Sequence, residues 1–343
     1  MQGNHYVDSQ LFKKLSALKD ENANSPTPDY IFFDRVLSQV ENSVEMEHGY
    51  KARLKRRLQV LADESLNVLV LGSPQTGKSA MLSAMFGERD WSRPANEIQR
   101  TELNRVTLWE ANLPDYSPES KPLIQELSAL LSETDDHNKP LIDLVMVVLD
   151  ASSSNIDDSY LDICRTIIPM MGRNADGRLM VLFSKCDKVA HAIRGEYVKD
   201  VMPMDAEIWL DCTAATLRYR LIDNAGVQTR PLAFSAEAGE SPSGRPFNLL
   251  KLLARTMEIL PEDKALTLLN HVLSRGDDHW REHDDNLLYL QLIENACFDA
   301  IHLGAHDGDR FGGQLGAFLG RHGRALGNIV SDEIRSQLHT QIT

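Results

Sequence analysis

The chain has 343 residues, 42% of them hydrophobic, which is enough for a sizeable core spread over one large or two to three smaller domains. A formal net charge of −14 excludes wholesale, non-specific wrapping of nucleic acid. Four cysteines (Cys164, Cys186, Cys212, Cys297) without CxxC spacing exclude a disulfide framework and a zinc ribbon, and fit a reducing compartment.

The opening stretch, MQGNHYVDSQLFKKLSALKD, lacks the apolar core of a secretory signal, so a cytoplasmic protein is expected. NANSPTPDY (Asn22 to Tyr30) places two prolines among polar breakers and predicts a linker. From Ile31 to Ser65 apolar residues recur at helical spacing, Val36, Leu37, Val40 and Val44 among them. They predict one long helix, or two with a break near Gly49. Within this stretch KARLKRR (Lys51 to Arg57) is a local basic run, read first as a solvated helix face.

The pattern then switches. Strand-length apolar runs stand at LNVLVLG, NRVTLWE, DLVMVVLD, LMVLFSK and RPLAFSA. Helix-like stretches separate them at Lys78 to Phe86, Ser117 to Ser132, Ser159 to Met170 and about Asp205 to Ile222. The alternation predicts an α/β fold with a doubly wound, mainly parallel sheet covered by helices on both faces. After ILPEDK (Ile259 to Lys264) the strand signals stop and the tail reads as helices. The expected layout is therefore a helical segment over 1–64, the α/β domain over 65–260, and a helical, glycine-containing segment over 261–343. No apolar run reaches the roughly 18 residues of a spanning helix.

The strongest motif is GSPQTGKS, Gly72 to Ser79, which fits G-x-x-x-x-G-K-[ST] between a predicted strand and a predicted helix. Glycines let the backbone curl so that successive amides face phosphate oxygens, and the helix adds its positive end. The candidate phosphate cradle is Gly72, Ser73, Pro74, Gln75, Thr76, Gly77, Lys78, Ser79 and Ala80. Lys78 is expected to stabilise the β- and γ-phosphates, and the Ser79 hydroxyl to ligate Mg²⁺.

Two later elements address the base. LMVLFSKCDK ends a predicted strand with Ser184, Lys185, Cys186 and Asp187. An aspartate there can accept hydrogen bonds from the guanine N1–H and exocyclic amine, which adenine does not offer. The lysine stem can lie along the base. Ser184 replaces the usual asparagine or threonine and keeps a hydroxyl with less reach. LAFSAEAG then places Ser235, Ala236 and Glu237 after another predicted strand. Three elements at carboxyl strand ends match the edge where open α/β sheets bind ligands.

With these residues in view, the stretch GSPQTGKSAMLSAMFG resembles the Era-type branch of small GTPases. Its loop typically reads GxPNxGKSxLxNxLxG, and Pro74, Gln75, Leu82, Met85 and Gly87 continue the match. The resemblance covers Leu66 to Leu260 and points to bacterial Era-like proteins with added helical ends, some prophage-encoded. It implies a P-loop G domain binding GTP or GDP with Mg²⁺ and acting as a regulatory switch. A ribosome or RNA partner is implied by family analogy alone, and an unidentified protein partner or a homodimer stays open.

The family's third element, D-x-x-G, is degenerate. Aligned on the strand RVTLWEANLPDYS, Glu110 takes the place of the magnesium-holding aspartate and Leu113 that of the glycine; a second alignment moves the role to Asp115. Thr101 is the candidate switch threonine. The metal set expected from the sequence is thus Ser79, Thr101 and Glu110. Hydrolysis is expected to be slow or partner-dependent, because these departures fall on the parts that respond to the γ-phosphate. A non-hydrolysing scaffold is the alternative, and an ATP-dependent P-loop enzyme a more distant one.

In the tail, GDRFGGQLGAFLGRHGRALGNIV repeats glycine at Gly312, Gly316, Gly320, Gly323 and Gly327. Such spacing lets helices approach closely. A packed helix pair is favoured over peripheral membrane contact, because Arg310, Arg321, His322 and Arg324 interrupt the run. RGDDHWREHDDN, with His279 and His283, reads as a charged helix start rather than a metal site.

Overall fold

Six strands form one sheet in the order β2-β3-β1-β4-β5-β6 in a computed structural model. It describes residues 31–87, 91, 97–115, 117–135, 138–153, 156–172, 175–195, 202–236, 246–273, 287–304 and 314–338. The strands are β1 (Leu66–Leu71), β2 (Gln99–Leu103), β3 (Val106–Ala111), β4 (Leu144–Asp150), β5 (Leu179–Ser184) and β6 (Leu232–Ala233). All neighbours pair in parallel except β2, which runs antiparallel to β3 at the sheet's edge. The sheet is doubly wound and mainly parallel, as the alternating pattern predicts.

Alternation along β1 separates the two faces. Leu69 and Leu71 face a core covered by α4 (Lys121–Ser132), α5 (Ile156–Asp162), α6 (Ile168–Met171), α7 (Cys186–Arg194) and α8 (Met204–Ala225). Val68 and Val70 face the other core, under α3 (Lys78–Phe86) and α9 (Leu249–Ile259). Helices from both ends of the chain join this second core: α1 (Ile31–Asn42), α2 (His48–Asp63), α10 (Glu262–Leu273), α11 (Leu287–Gly304) and α12 (Gln314–Leu338).

At the centre of that group, α10 is buried without a break from Ala265 to Leu273 and packs on β1, β3 and α3. Its buried stretch is mostly apolar but includes Thr267, Asn270 and His271, with Asn270 Oδ1 accepting from the Phe33 amide at 3.3 Å. Arg57 of α2 clamps it from outside, donating to Asp263 at 2.5 Å and to the Ala300 carbonyl at 3.1 Å. Lys51 and Lys55 of the basic run instead bond Glu41 on the surface. Tyr50 of α2 meets α11 and α12, its hydroxyl 2.7 Å from His302 Nδ1 and its ring stacked on His322. Burial pushes the Tyr50 hydroxyl up to about 12, against the lowering effect of Arg53.

Several boundaries depart from the sequence reading. The N-terminal helices part between Asn42 and His48, so Gly49 lies inside the first turn of α2. Strand β2 is absent from the predicted set because QRTEL, an edge strand, is buried only at Leu103 and has no apolar run. Helix α7, nine residues long, is absent from the predicted helices. Between α5 and α6 a π-helical turn, Ile163–Ile167, leads to Pro169, which cannot donate to the preceding turn.

Gly323 and Gly327 of α12 lie against the Phe298 ring of α11, at 3.7 and 3.9 Å from where a side chain would start. Gly320 faces open space. Gly312, His279 and His283 lie outside the described residues. Among the described residues no helix is long and apolar enough to cross a membrane, and no group of three metal-ligating side chains forms.

Candidate functional site

The carboxyl ends of β1, β3, β4 and β5 share one edge of the sheet, and the motif residues gather there. After Leu71 the chain turns at once through Gly72 to Gly77 into α3. A side chain at Gly72 would begin 2.5 Å from the Val148 carbonyl oxygen and 2.7 Å from Thr76 Oγ1, so only glycine fits between β1 and β4. Gln75 (φ 63°) and Gly77 (φ 88°) are both left-handed, which curls the loop. Thr76 Oγ1 donates to the Ser73 carbonyl at 2.9 Å and braces it. Pro74 and Gln75 form the exposed rim, and Ser79 and Ala80 lie in the first turn of α3.

Lys78 is almost wholly buried. Its ammonium donates to the Gly72 carbonyl and to the Ser73 carbonyl at 2.8 Å, and reaches Asn112 Oδ1 at 3.5 Å. The lysine therefore lies inside the loop's own ring. The fit to a phosphate group rests on this cradle: a close-packed glycine, two left-handed turns, a helix amino end and an inward cation.

The second element is bolted to the first. Ser184, buried at the end of β5, lies with Oγ in hydrogen-bond reach of the Thr76 carbonyl and 3.0 Å from that of Leu149. The hydroxyl thus reaches the loop despite its short stem. Lys185 is left-handed (φ 58°) at the start of α7, and its ammonium pairs with Asp150 Oδ2 at 2.6 Å. Burial pushes the Asp150 carboxyl up, but its bonds to Lys185 and Ser152 outweigh this and hold it below the usual range. Burial drives the neighbouring Cys186 thiol up, so the position between lysine and aspartate carries an inert side chain.

Asp187 stands in the first turn of α7 and accepts from Ser235 Oγ at 2.9 Å. That bond joins the second element to the third. Ser235 is fixed in turn by a reciprocal backbone pair with Phe247, at 2.9 and 2.8 Å. Ala236 is half-buried beside it, and Glu237 lies outside the described residues.

The end of β3 differs from the sequence alignment. Leu71 pairs with Ala111, which sets Asn112 level with Gly72; the Leu113 amide donates to the Gly72 carbonyl at 3.1 Å. Asn112, near Lys78, is thus the polar side chain that β3 presents to the loop. Glu110 pairs with Val70 and is buried two residues further into the sheet, on the face covered by α3. Thr101 lies within edge strand β2, opposite Leu108. Asp115 closes a local turn, accepting from the Ser117 amide and from the Ser117 and Ser120 hydroxyls, which hold its carboxyl low.

Among the described residues Asn112 thus lies beside Lys78, Glu110 is buried on the face under α3, Thr101 stands in the edge strand and Asp115 in its own turn. Asn112 is the residue that sequence reasoning missed. Its signal was Asn-Leu-Pro-Asp directly after the strand, with the spacing of D-x-x-G and both end residues changed.

No family model matches the chain, and no curated protein matches it. Solved structures do, at low identity. An Era variant from Aquifex aeolicus bound to GDP·AlF4⁻ shares 14% identity over 58% of this chain and 57% of its own, with a TM-score of 0.35. The chain thus spans little more than half of that structure. A probable GTP-binding protein engB shares 16% identity over 56% of this chain and 97% of its own, with a TM-score of 0.35. Toc33 from Arabidopsis thaliana in complex with GDP and Mg²⁺ shares 11% identity over 72% of this chain and 95% of its own, with a TM-score of 0.37. At this level the likeness is one of fold and carries no residue-by-residue correspondence.

Proposed function

We propose that this chain binds guanine nucleotide at the Gly72 edge as a regulatory switch of the Era-like class, with slow or partner-dependent GTP hydrolysis. The observation that carries the reading is a chain of two side-chain bonds. Ser184 fastens the base-reading strand end to the Thr76 carbonyl, and Ser235 fastens the last element to Asp187. Three separate loops are thereby held as one receptor before any ligand arrives, which lowers the ordering cost of binding.

In this reading the loop amides and Lys78 hold the phosphates. Asp187 accepts from the guanine N1–H and amine, the Lys185 stem covers the base, and the Ser235–Ala236 backbone borders it. Adenine lacks the N1–H and 2-amino donors that guanine turns to Asp187, the kind of mismatch that polar sites reject strongly. Ser79 would ligate any magnesium that accompanies the nucleotide.

Asn112 favours the second reading, a holder that does not turn over. A neutral carboxamide cannot anchor a hydrated divalent cation as a carboxylate does, and phosphoryl transfer depends on that charge. Calorimetric titration with GDP, GTP and ATP, with and without Mg²⁺, followed by a turnover assay, tests both. Guanine-selective binding with little effect of Mg²⁺ is expected. Equal affinity for ATP would refute the base assignment, and brisk unaided hydrolysis would refute the weak-turnover assignment.

A further inference from the structure

Helix α8 is apolar on two opposite sides. Ala206, Leu210, Leu217 and Leu221 enter the core. On the reverse side Met204, Ile208, Cys212, Ala215 and Tyr219 recur at steps of four, four, three and four residues, one continuous line along the helix. They face solvent: Met204 is 73% exposed, Tyr219 68%, Ile208 54%, with Trp209 at 42% on the flank. Scattered apolar residues need no explanation, but an aligned row of this length marks an interaction surface.

The charges beside the row identify the occupant. Exposed acids (Asp205, Glu207, Asp211) lie along the first half of the helix, and exposed bases (Arg218, Arg220), followed by the acid Asp223 near its end, along the second. We propose that this face pairs with a second copy of itself, the two α8 helices antiparallel about a two-fold axis near Cys212. In such a pair residue 212 − k of one copy meets residue 212 + k of the other. Within one residue, Ile208 then meets Ala215 and Met204 meets Tyr219. On one flank Glu207 meets Arg218, and on the other Asp205 meets Arg220. A two-fold axis maps each flank onto itself, so each of these two acids finds its base in both directions.

Two of these charges already have partners within the chain. Asp205 accepts from Arg194 at 3.1 Å, and Arg220 lies over the Tyr160 ring at 5.7 Å. Glu207 and Arg218 are therefore the pair that sets the register. Helix α8 contributes no residue to the Gly72 edge, so this face is independent of the nucleotide reading.

Sedimentation equilibrium of the full chain over a concentration series up to roughly 100 µM tests it. A monomer–dimer equilibrium is expected, weakened at least about tenfold by Ile208→Asp. Glu207→Arg alone should weaken it, and Glu207→Arg with Arg218→Glu should restore it to within about threefold. A short bismaleimide should join two chains through Cys212, and Cys212→Ser should abolish the product. Circular dichroism checks that each surface variant is folded. A monomer at every concentration overturns the proposal. So does a dimer indifferent to Ile208→Asp, including one that forms only with nucleotide, and so does failure of the charge swap to restore association.

Discussion

The two strand ends flanking β1 have met different fates. On one side β4 and β5 supply Asp150, Ser184 and Lys185, all tied by side-chain bonds into the loop and the base edge. On the other side Asn112 follows β3 level with Gly72, Glu110 is buried two residues further into the sheet, and Asp115 closes a local turn. In the proposed reading, gripping a nucleotide and responding to its γ-phosphate are separable tasks of one sheet edge. The gripping half needs shape and fixed donors, which the fold itself supplies. The responding half needs a charge at one position, and a single amide removes it.

The largest effect that would break this comparison lies at the shared loop. Gly72→Ala forces a methyl group against the Val148 carbonyl, so the loop must move. Guanine-nucleotide affinity should fall by about a thousandfold or more in titration, with a lowered melting temperature. Asp187→Asn should cost about a hundredfold in GDP affinity, because the amide leaves ring donors unpaired. Retained affinity would remove Asp187 from the base pocket.

On the responding side the expected change is a gain. Asn112→Asp should raise the Mg²⁺ dependence of GTP binding and speed turnover by roughly tenfold. No change in either quantity would mean that β3 never took part. Glu110→Gln, two residues further into the sheet than Asn112, should leave Mg²⁺ dependence where it was.

Much of the gripping half was legible in the sequence because it is local. Gly72 to Ser79 is one contiguous run, and SKCD and SAE each end an apolar strand whose period announces itself. The responding half was not, because acidic character competed with register. Glu110 carries the acid, whereas the β1–β3 pairing that levels Asn112 with Gly72 is a long-range fact. The reach of Ser184 was likewise invisible, since its partner is the Thr76 carbonyl, far earlier in the chain. Edge strand β2, with no buried run, left no pattern to find.

The smallest effect expected is one of pH. Asp150 has its folded-state pKa depressed, so its pairing with Lys185 stabilises above the ordinary carboxylate range. That contribution is lost as pH falls through the lower, folded value. Melting temperatures from pH 7 to pH 3 should show a loss below about pH 4 that Asp150→Asn lacks. The pair is partly exposed, so the difference should stay under about 1 kcal/mol.

The most direct single measurement is calorimetric titration of the full chain with GTP, GDP and ATP, each in Mg²⁺ and in EDTA. The account predicts that both guanine nucleotides bind with affinities within about tenfold of each other, nearly unchanged by chelation, and that ATP binds at least about a hundredfold more weakly. Guanine binding that collapses in EDTA would contradict the division between gripping and responding halves. Absence of guanine binding altogether would contradict the reading of the Gly72 edge itself.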